Sequence, residues 1–269
     1  MIDLSFDPDL TLGALRLTWH ALLGLVAVIA GAATGIAFAL RAARARGIRF
    51  TFDDAYAVAL GGVVGGLVVS RVFHVADRWS FYARRPLEIV AVQDGGASIV
   101  GGIVGGLSCG LLVIWLRRLR IGFVFDHCTV GLPVGMAIGR IGDIVNGEHW
   151  ATACAGLPWC VRYTHPTSPG QREFVHPAVA YELVLDLAIA LVLLRLAPWA
   201  DREPRAGQIP FVFLGLYGAG RLALSAVRLD PIWVFGLTQA QLVSALFVIV
   251  AVAALAWLRR PMDRGTLRR

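Results

Sequence analysis

Arg140, Asp143, Asn146, Glu148 and His149 fall within ten positions of one stretch, Gly139–Trp150, which reads GRIGDIVNGEHW. At helical spacing Arg140, Asp143 and Asn146-Gly147 share a face, so polar groups converge just where the apolar run Val124–Ile138 ends. The plainer alternative is a helix end whose arginine snorkels to headgroups and whose Asn-Gly makes a turn. Five such residues together favour a functional site, because charge at the mouth of an apolar bundle is costly.

Three other stretches break the apolar pattern. Arg84-Arg85-Pro86-Leu87-Glu88-Ile89 leads into Gln93-Asp94-Gly95-Gly96-Ala97-Ser98, ahead of another apolar run. His176-Pro177-Ala178-Val179-Ala180-Tyr181-Glu182 opens a further one. Tyr217-Gly218-Ala219-Gly220-Arg221 sets an arginine inside a run, with Ser225 and Arg228 one and two turns on. Arg221 needs a partner or an anion there. A lipid phosphate suits such a gathering, since guanidinium groups fork onto phosphate oxygens. From the residues alone, the chain is expected to hold an anionic lipid headgroup.

The elements that must position these groups are membrane helices. Apolar residues make up 57% of the chain, charged residues 16%, and the mean hydropathy is +0.69, well outside the range of a soluble domain. The expected fold class is all-α, a polytopic membrane protein of seven transmembrane helices forming a single integral membrane domain over residues 1–269. The segments are Leu17–Leu40, Ala55–Val75, Gly96–Leu116, Val124–Val145, Pro177–Ala197, Ile209–Val227 and Gly236–Leu258. The fourth is the least regular, with Asp126 and His127 at its start and Pro133 inside. Glycine pairs in the second and third (Gly61, Gly62, Gly65, Gly66; Gly101, Gly102, Gly105, Gly106) point to close helix packing.

All 25 basic residues are arginine, a compositional bias, and the net charge of +7 gives no reason to expect nucleic acid. Alternate connections plus the tail carry fourteen arginines, against seven on the other side. The positive-inside rule then puts the N-terminus outside, the basic tail 259–269 in the cytoplasm and the 147–175 loop on the extracytoplasmic face. The first apolar run is too long and too poorly flanked for a cleaved signal peptide. Of four cysteines, Cys109 and Cys128 lie in apolar segments, whereas Cys154 and Cys160 share the polar loop and suit a small disulfide if that side is oxidising. With no CxxC or Cys/His metal spacing, no metal and no cofactor are expected.

These motifs resemble the prolipoprotein diacylglyceryl transferase family over nearly the whole chain. GRIGDIVNGEHW is similar to the family signature G-R-x-G-N-F-x-N-x-E-x-W, HPAVAYE to H-P-S-Q-L-Y-E, and PLEI…GGASIVGG to P-L-E-I…G-G-M-S-F-H-G-G. Leu157-Pro158-Trp159, Gly236-Leu237-Thr238 and Gln241-Leu242-Val243-Ser244 also fall where members carry similar strings. The resemblance implies transfer of the diacylglyceryl group of phosphatidylglycerol to the lipobox cysteine in the signal peptide of a prolipoprotein, in the bacterial inner membrane. It makes Arg140, Arg221 and Glu148 the catalytic candidates. Asp143, Asn146, His20, Ser98, Tyr181 and Arg228 are the candidates for holding substrate.

Four positions depart from the family strings. Val100 stands where the family has His, Asp143 where it has Asn, His20 where it has Tyr, and Ser225 where it has Glu. A transferase must deprotonate a thiol of pKa about 8.5 and stabilise a leaving phosphate. With Val100 in place, the base is left to Glu148, Asp143, His20 or bulk hydroxide. The alternative reading is a paralogue that keeps phospholipid binding with altered or lost transferase activity. A small-solute transporter is disfavoured, because no inverted repeat or matched pair of broken helices is visible.

Overall fold

The computed structural model describes residues 1–12, 15–91, 95–200 and 206–258. The expected basic tail 259–269, Arg202, Arg205, Gln93 and Asp94 lie outside the described residues. The chain divides into two compact units, Met1–Phe38 with Phe125–Arg269, and Ala39–Val124.

In chain order, β1 (Ile2–Leu4) and a hairpin of β2 (Asp9–Leu12) and β3 (Leu15–Thr18) precede α1 (Trp19–Arg46) and α2 (Phe52–Asp77). A short α3 (Trp79–Tyr82) and a 3₁₀ turn (Pro86–Ile89) lead to α4 (Ile99–Leu116). Then come α5 (Ile121–Cys128), α6 (Gly131–Asn146), β4 (Val161–Tyr163), α7 (Ala178–Ala200) and α8 (Ile209–Leu224). The hairpin of β5 (Ile232–Val234) and β6 (Leu237–Thr238) precedes α9 (Gln239–Leu258).

Each of the seven apolar segments is mostly helical, although Leu17-Thr18 belongs to β3, Leu237-Thr238 to β6, and α8 ends at Leu224. The fourth is split into α5 and α6 around Thr129-Val130, and the third starts at Ile99, because Gly95 and Gly96 adopt φ of 79° and 88°. Among the described residues four helical stretches are long and apolar enough to cross a membrane: Trp19–Arg46, Phe52–Asp77, Ile121–Asn146 and Gln239–Leu258. α8 and most of α4 are apolar but shorter. α7 carries Glu182, Asp186 and Arg195 and is not among these helices. Leu25, Ile29, Leu67, Leu107, Ile249 and Val252 are exposed on these helices, as lipid-facing residues are in a membrane protein.

In the smaller unit α2 and α4 pack backbone to backbone. A Cβ on Gly65 would collide with Cys109 and the Gly105 carbonyl, and one on Gly105 would collide with the Gly65 carbonyl and Val69. Thr51 and Asp54 form a reciprocal capping box at the start of α2. Arg71 ties down the connection to α4 by donating to the carbonyls of Glu88 (2.6 Å), Ile89 (2.9 Å) and Gly96 (2.9 Å).

In the larger unit a core of Val130, Ile189, Leu193, Ala197, Ile209 and Phe213 joins α6, α7 and α8. Buried Asp126 caps α8, accepting from Gly207 N (2.6 Å) and Ile209 N (2.9 Å). The 147–175 loop has a core of its own, in which Ala151, Val161 and Val175 pack on Ala178. Arg172 donates to the carbonyls of Tyr163, His165, Pro166 and Ser168, and β1 pairs in parallel with β4.

Cys154 and Cys160 form a disulfide, and Cys109 and Cys128 are free. So short a closed loop contributes about 2 kcal/mol in the chain-entropy description. Alkylation of unfolded, unreduced protein is expected to label Cys109 and Cys128 and to spare the loop pair. Mass spectra with all four labelled would remove the bond.

Candidate active site

The site grows from the C-terminal end of α6. Gly147 takes a left-handed conformation (φ 79°), and its N–H returns to the Asp143 carbonyl at 2.9 Å, as does Glu148 N at 3.1 Å. This cap stops the helix and folds Glu148 back beside Asn146, whose Nδ2 donates to Glu148 Oε1 at 2.5 Å. His149 follows at φ 69°, a region that side-chain-bearing residues rarely occupy and that tends to mark functional positions.

Two acidic residues of α7 face the same way, because Glu182 and Asp186 are four apart on one helix face. Each is 1% exposed. Arg140 reaches Glu182 Oε2 (2.9 Å), Asp143 Oδ2 (3.2 Å) and, less closely, Asp186 Oδ2 (3.5 Å). Arg221 on α8 meets Asp230 (2.7 Å) and Glu182 Oε1 (3.4 Å). Arg228 reaches Glu182 Oε1 (2.8 Å) and Asp230 Oδ1 (3.1 Å). Its backbone is held by strand-like pairing, with Thr152 N bonding Val227 O and Leu229 N bonding Trp150 O. Glu182 is therefore the hub of three guanidinium groups from three separate segments. Arg221 Nη1 is buried with no acceptor among the described residues.

His20, in the first turn of α1, approaches from the other side. Its Nδ1 lies 2.8 Å from Asp143 Oδ1 and 3.9 Å from Glu148 Oε2. The approach depends on Gly142, where an added Cβ would lie 3.1 Å from His20 Cα and 3.2 Å from Leu23 Cβ. His149 Nε2 is 3.8 Å from Asp143 Oδ2, so this carboxylate sits between two imidazoles and a guanidinium.

Burial lowers the pKa of His149 and Arg228 lowers it further, outweighing the pull of Asp143, so the ring is neutral near pH 7. Burial alone would raise the carboxyl of Asp230, but hydrogen bonds and charge from Arg221 and Arg228 prevail and hold it below the usual range. The Tyr163 phenol, whose OH donates to the Ile144 carbonyl at 3.0 Å, is pushed up to about 12, first by burial and then by Asp143.

Ligand atoms of His20, Asp143 and Glu148 lie within 4.8 Å of one another. Both Asp143 oxygens are already engaged, by His20 and Arg140, and Glu148 Oε1 holds Asn146, so the contacts describe a hydrogen-bonded relay and we assign no ion.

Of the residues expected from sequence, Arg140, Asp143, Asn146, Glu148, His20, Arg221 and Arg228 come together. Ser98 belongs to the other unit, where it caps α4 by accepting from Gly101 N and donates its own N–H to Ser70. Tyr181 lies outside the charge cluster, its OH accepting from Trp159 Nε1 at 2.9 Å. His149 and Glu182 stand in stretches singled out from the sequence but carried no assigned role, and Asp186 and Asp230 were not singled out. The i, i+4 carboxylates of α7 are the signal that could have found Glu182 and Asp186 together. At the departures, Ser225 donates to the Leu222 carbonyl and accepts from Gln241, and Val100 is 52% exposed on α4.

A bundle of apolar helices that gathers three arginines, five carboxylates and two imidazoles around the ends of α6, α7 and α8 and the start of α1 defines a membrane protein with a partly buried charged cluster. Residues 9–257 match the prolipoprotein diacylglyceryl transferase family, and the chain belongs to it. It is 29% identical to the phosphatidylglycerol–prolipoprotein diacylglyceryl transferase of Clostridioides difficile strain 630, over 93% of this chain and 94% of that one. It is 32% identical to the protein of that name from Synechococcus elongatus, over 92% of this chain and 85% of that one. The Symbiobacterium thermophilum protein is 30% identical over 96% of both.

Proposed function

We propose that this chain transfers the diacylglyceryl group of phosphatidylglycerol to the lipobox cysteine thiol of prolipoproteins, the first step of lipoprotein maturation. The observation that carries the reading is the convergence of Arg140, Arg221 and Arg228 on one buried carboxylate in a chain that belongs to the transferase family. All seven apolar segments cross the plasma membrane, the N-terminus lies outside, and the tail lies in the cytoplasm. The 147–175 loop and the site face the extracytoplasmic side, which the disulfide supports.

Chemically, a thiolate displaces a phosphate ester from a glycerol carbon, and the site must receive the negative charge of the leaving glycerol phosphate. Arg221 Nη1 is a buried donor awaiting an acceptor, and it binds that phosphate first. Arg140 and Arg228 are already neutralised, so phosphate competes with Asp143 and Asp230 for them. Glu148 and Asn146, bonded to each other, orient the glycerol.

The test is thioether formation on a lipobox peptide by the purified protein in vesicles containing phosphatidylglycerol. The expected result is diacylglyceryl-modified peptide with release of glycerol phosphate. Phosphatidylglycerol bound without product at any pH would overturn the transferase reading and leave a lipid-binding paralogue.

A further inference from the structure

We infer that His20, held by Asp143, is the catalytic base that takes the proton from the attacking thiol. The inference rests on the proposed transfer reaction and names the group that reaction needs.

The geometry is that of a carboxylate–imidazole pair. With Nδ1 bound to Asp143 Oδ1 at 2.8 Å, the ring is fixed in the tautomer that carries its proton there, and Nε2 is left as a free lone pair. Nε2 has no hydrogen-bond partner among the described residues. His20 is 48% exposed, whereas the Asp143 side chain behind it is 9% exposed, so a peptide thiol meets the imidazole before the carboxylate. The pair joins two helices that Gly142 lets approach, and Thr18 Oγ1 fixes the first turn of α1 by accepting from Ala21 N.

The other groups around this ring serve less well. Glu148 Oε2 is 3.9 Å from Nδ1, its Oε1 is taken by Asn146 Nδ2, and a carboxylate is by nature a weaker base towards a thiol than an imidazole. His149 is turned inward to the opposite oxygen of Asp143, and burial weakens it as a base. Arg140 lies on that same oxygen at 3.2 Å and carries no lone pair to offer. α1 itself contributes no other titratable group before Arg41.

The step balances within the site. His20 Nε2 accepts the Sγ proton, and the thiolate sulfur attacks the glyceryl carbon bearing the phosphate ester. A C–S bond forms as the C–O bond breaks. The electron pair leaves on the phosphate oxygen of glycerol phosphate, to which the imidazolium returns the proton.

His20→Gln keeps a donor for Asp143 but cannot carry the proton. In phosphatidylglycerol vesicles with a lipobox peptide, its kcat is expected to fall about 10²–10⁴-fold. KM for lipid and peptide should change about twofold or less, and the residual rate should rise about tenfold per pH unit as hydroxide takes over below the thiol pKa. His20→Gly should regain turnover on addition of imidazole, a rescue that a purely structural role does not give. A wild-type rate and pH profile in His20→Gln overturns the assignment, as does the same loss appearing in His149→Gln instead. A wild-type protein that makes no thioether overturns the proposed function and this inference with it. An active wild type with an unaffected His20→Gln overturns this inference alone.

Discussion

Arg140→Ala is expected to abolish thioether formation and to cost about 3–5 kcal/mol of stability, the usual result of removing one partner from a buried ion pair. Among the described residues Arg140 is the only cation within 4 Å of Asp186 and one of three on Glu182. Its loss strands Asp186, which is 1% exposed, and removes one of the three cations on Glu182. Arg140→Lys should recover part of the stability, since an ammonium still neutralises charge, but little activity, because it cannot span Asp143, Glu182 and Asp186 as the planar group does. Adding Asp186→Asn to Arg140→Ala should restore stability without restoring transfer, because it removes the stranded charge and leaves the phosphate without a clamp. Thermal unfolding in detergent beside the vesicle assay separates the two effects. An Arg140→Ala protein that melts with wild type would show that Asp186 and Glu182 are neutral or solvated and that the network is misassigned.

That network explains what the sequence could and could not disclose. Helix positions were legible because each apolar run is self-contained. The end of α6 was legible because Asn-Gly and the flanking polar residues encode a cap locally. The disulfide followed from two cysteines in one polar loop. Partnership across helices was not legible. His20 and Asp143 read as two separate departures from the family strings, and no spacing links position 20 to position 143. Only the close contact at Gly142 makes them neighbours. Likewise Arg228 was expected to hold substrate, and it does lie in the site, but engaged by Glu182 and Asp230. Asp186 and Asp230 carried no role in the sequence because an arginine in an apolar segment is answered equally by an external anion or by a carboxylate elsewhere in the chain, and nothing local says which. Ser98, a candidate only through the family resemblance, has a local role that its position before an apolar run could have shown, the cap of α4.

Arg221 separates phosphate binding from charge balance. It shares Asp230 at 2.7 Å and Glu182 at 3.4 Å while Nη1 is buried without an acceptor among the described residues. Arg221→Lys retains a cation for Asp230 but loses the forked donor set, so kcat is expected to drop about 10²–10³-fold, nearly as far as in Arg221→Ala. Asp230→Asn should act in the opposite sense on the lipid. With that carboxylate gone, Arg221 and Arg228 are freer for phosphate, and phosphatidylglycerol should bind more tightly at neutral pH. The pH dependence follows from the same pair. The Asp230 carboxyl is held below its ordinary value by Arg221 and Arg228, so the stability it contributes is full above about pH 4. That contribution is lost as pH falls through the depressed folded value, and Asp230→Asn should remove this part of the acid sensitivity. Lipid binding measured in wild type, Arg221→Lys and Asp230→Asn, with acid unfolding of the first and last, tests the scheme. A Lys variant that turns over like wild type would reduce Arg221 to a counter-ion for Asp230 and Glu182 and move the phosphate elsewhere.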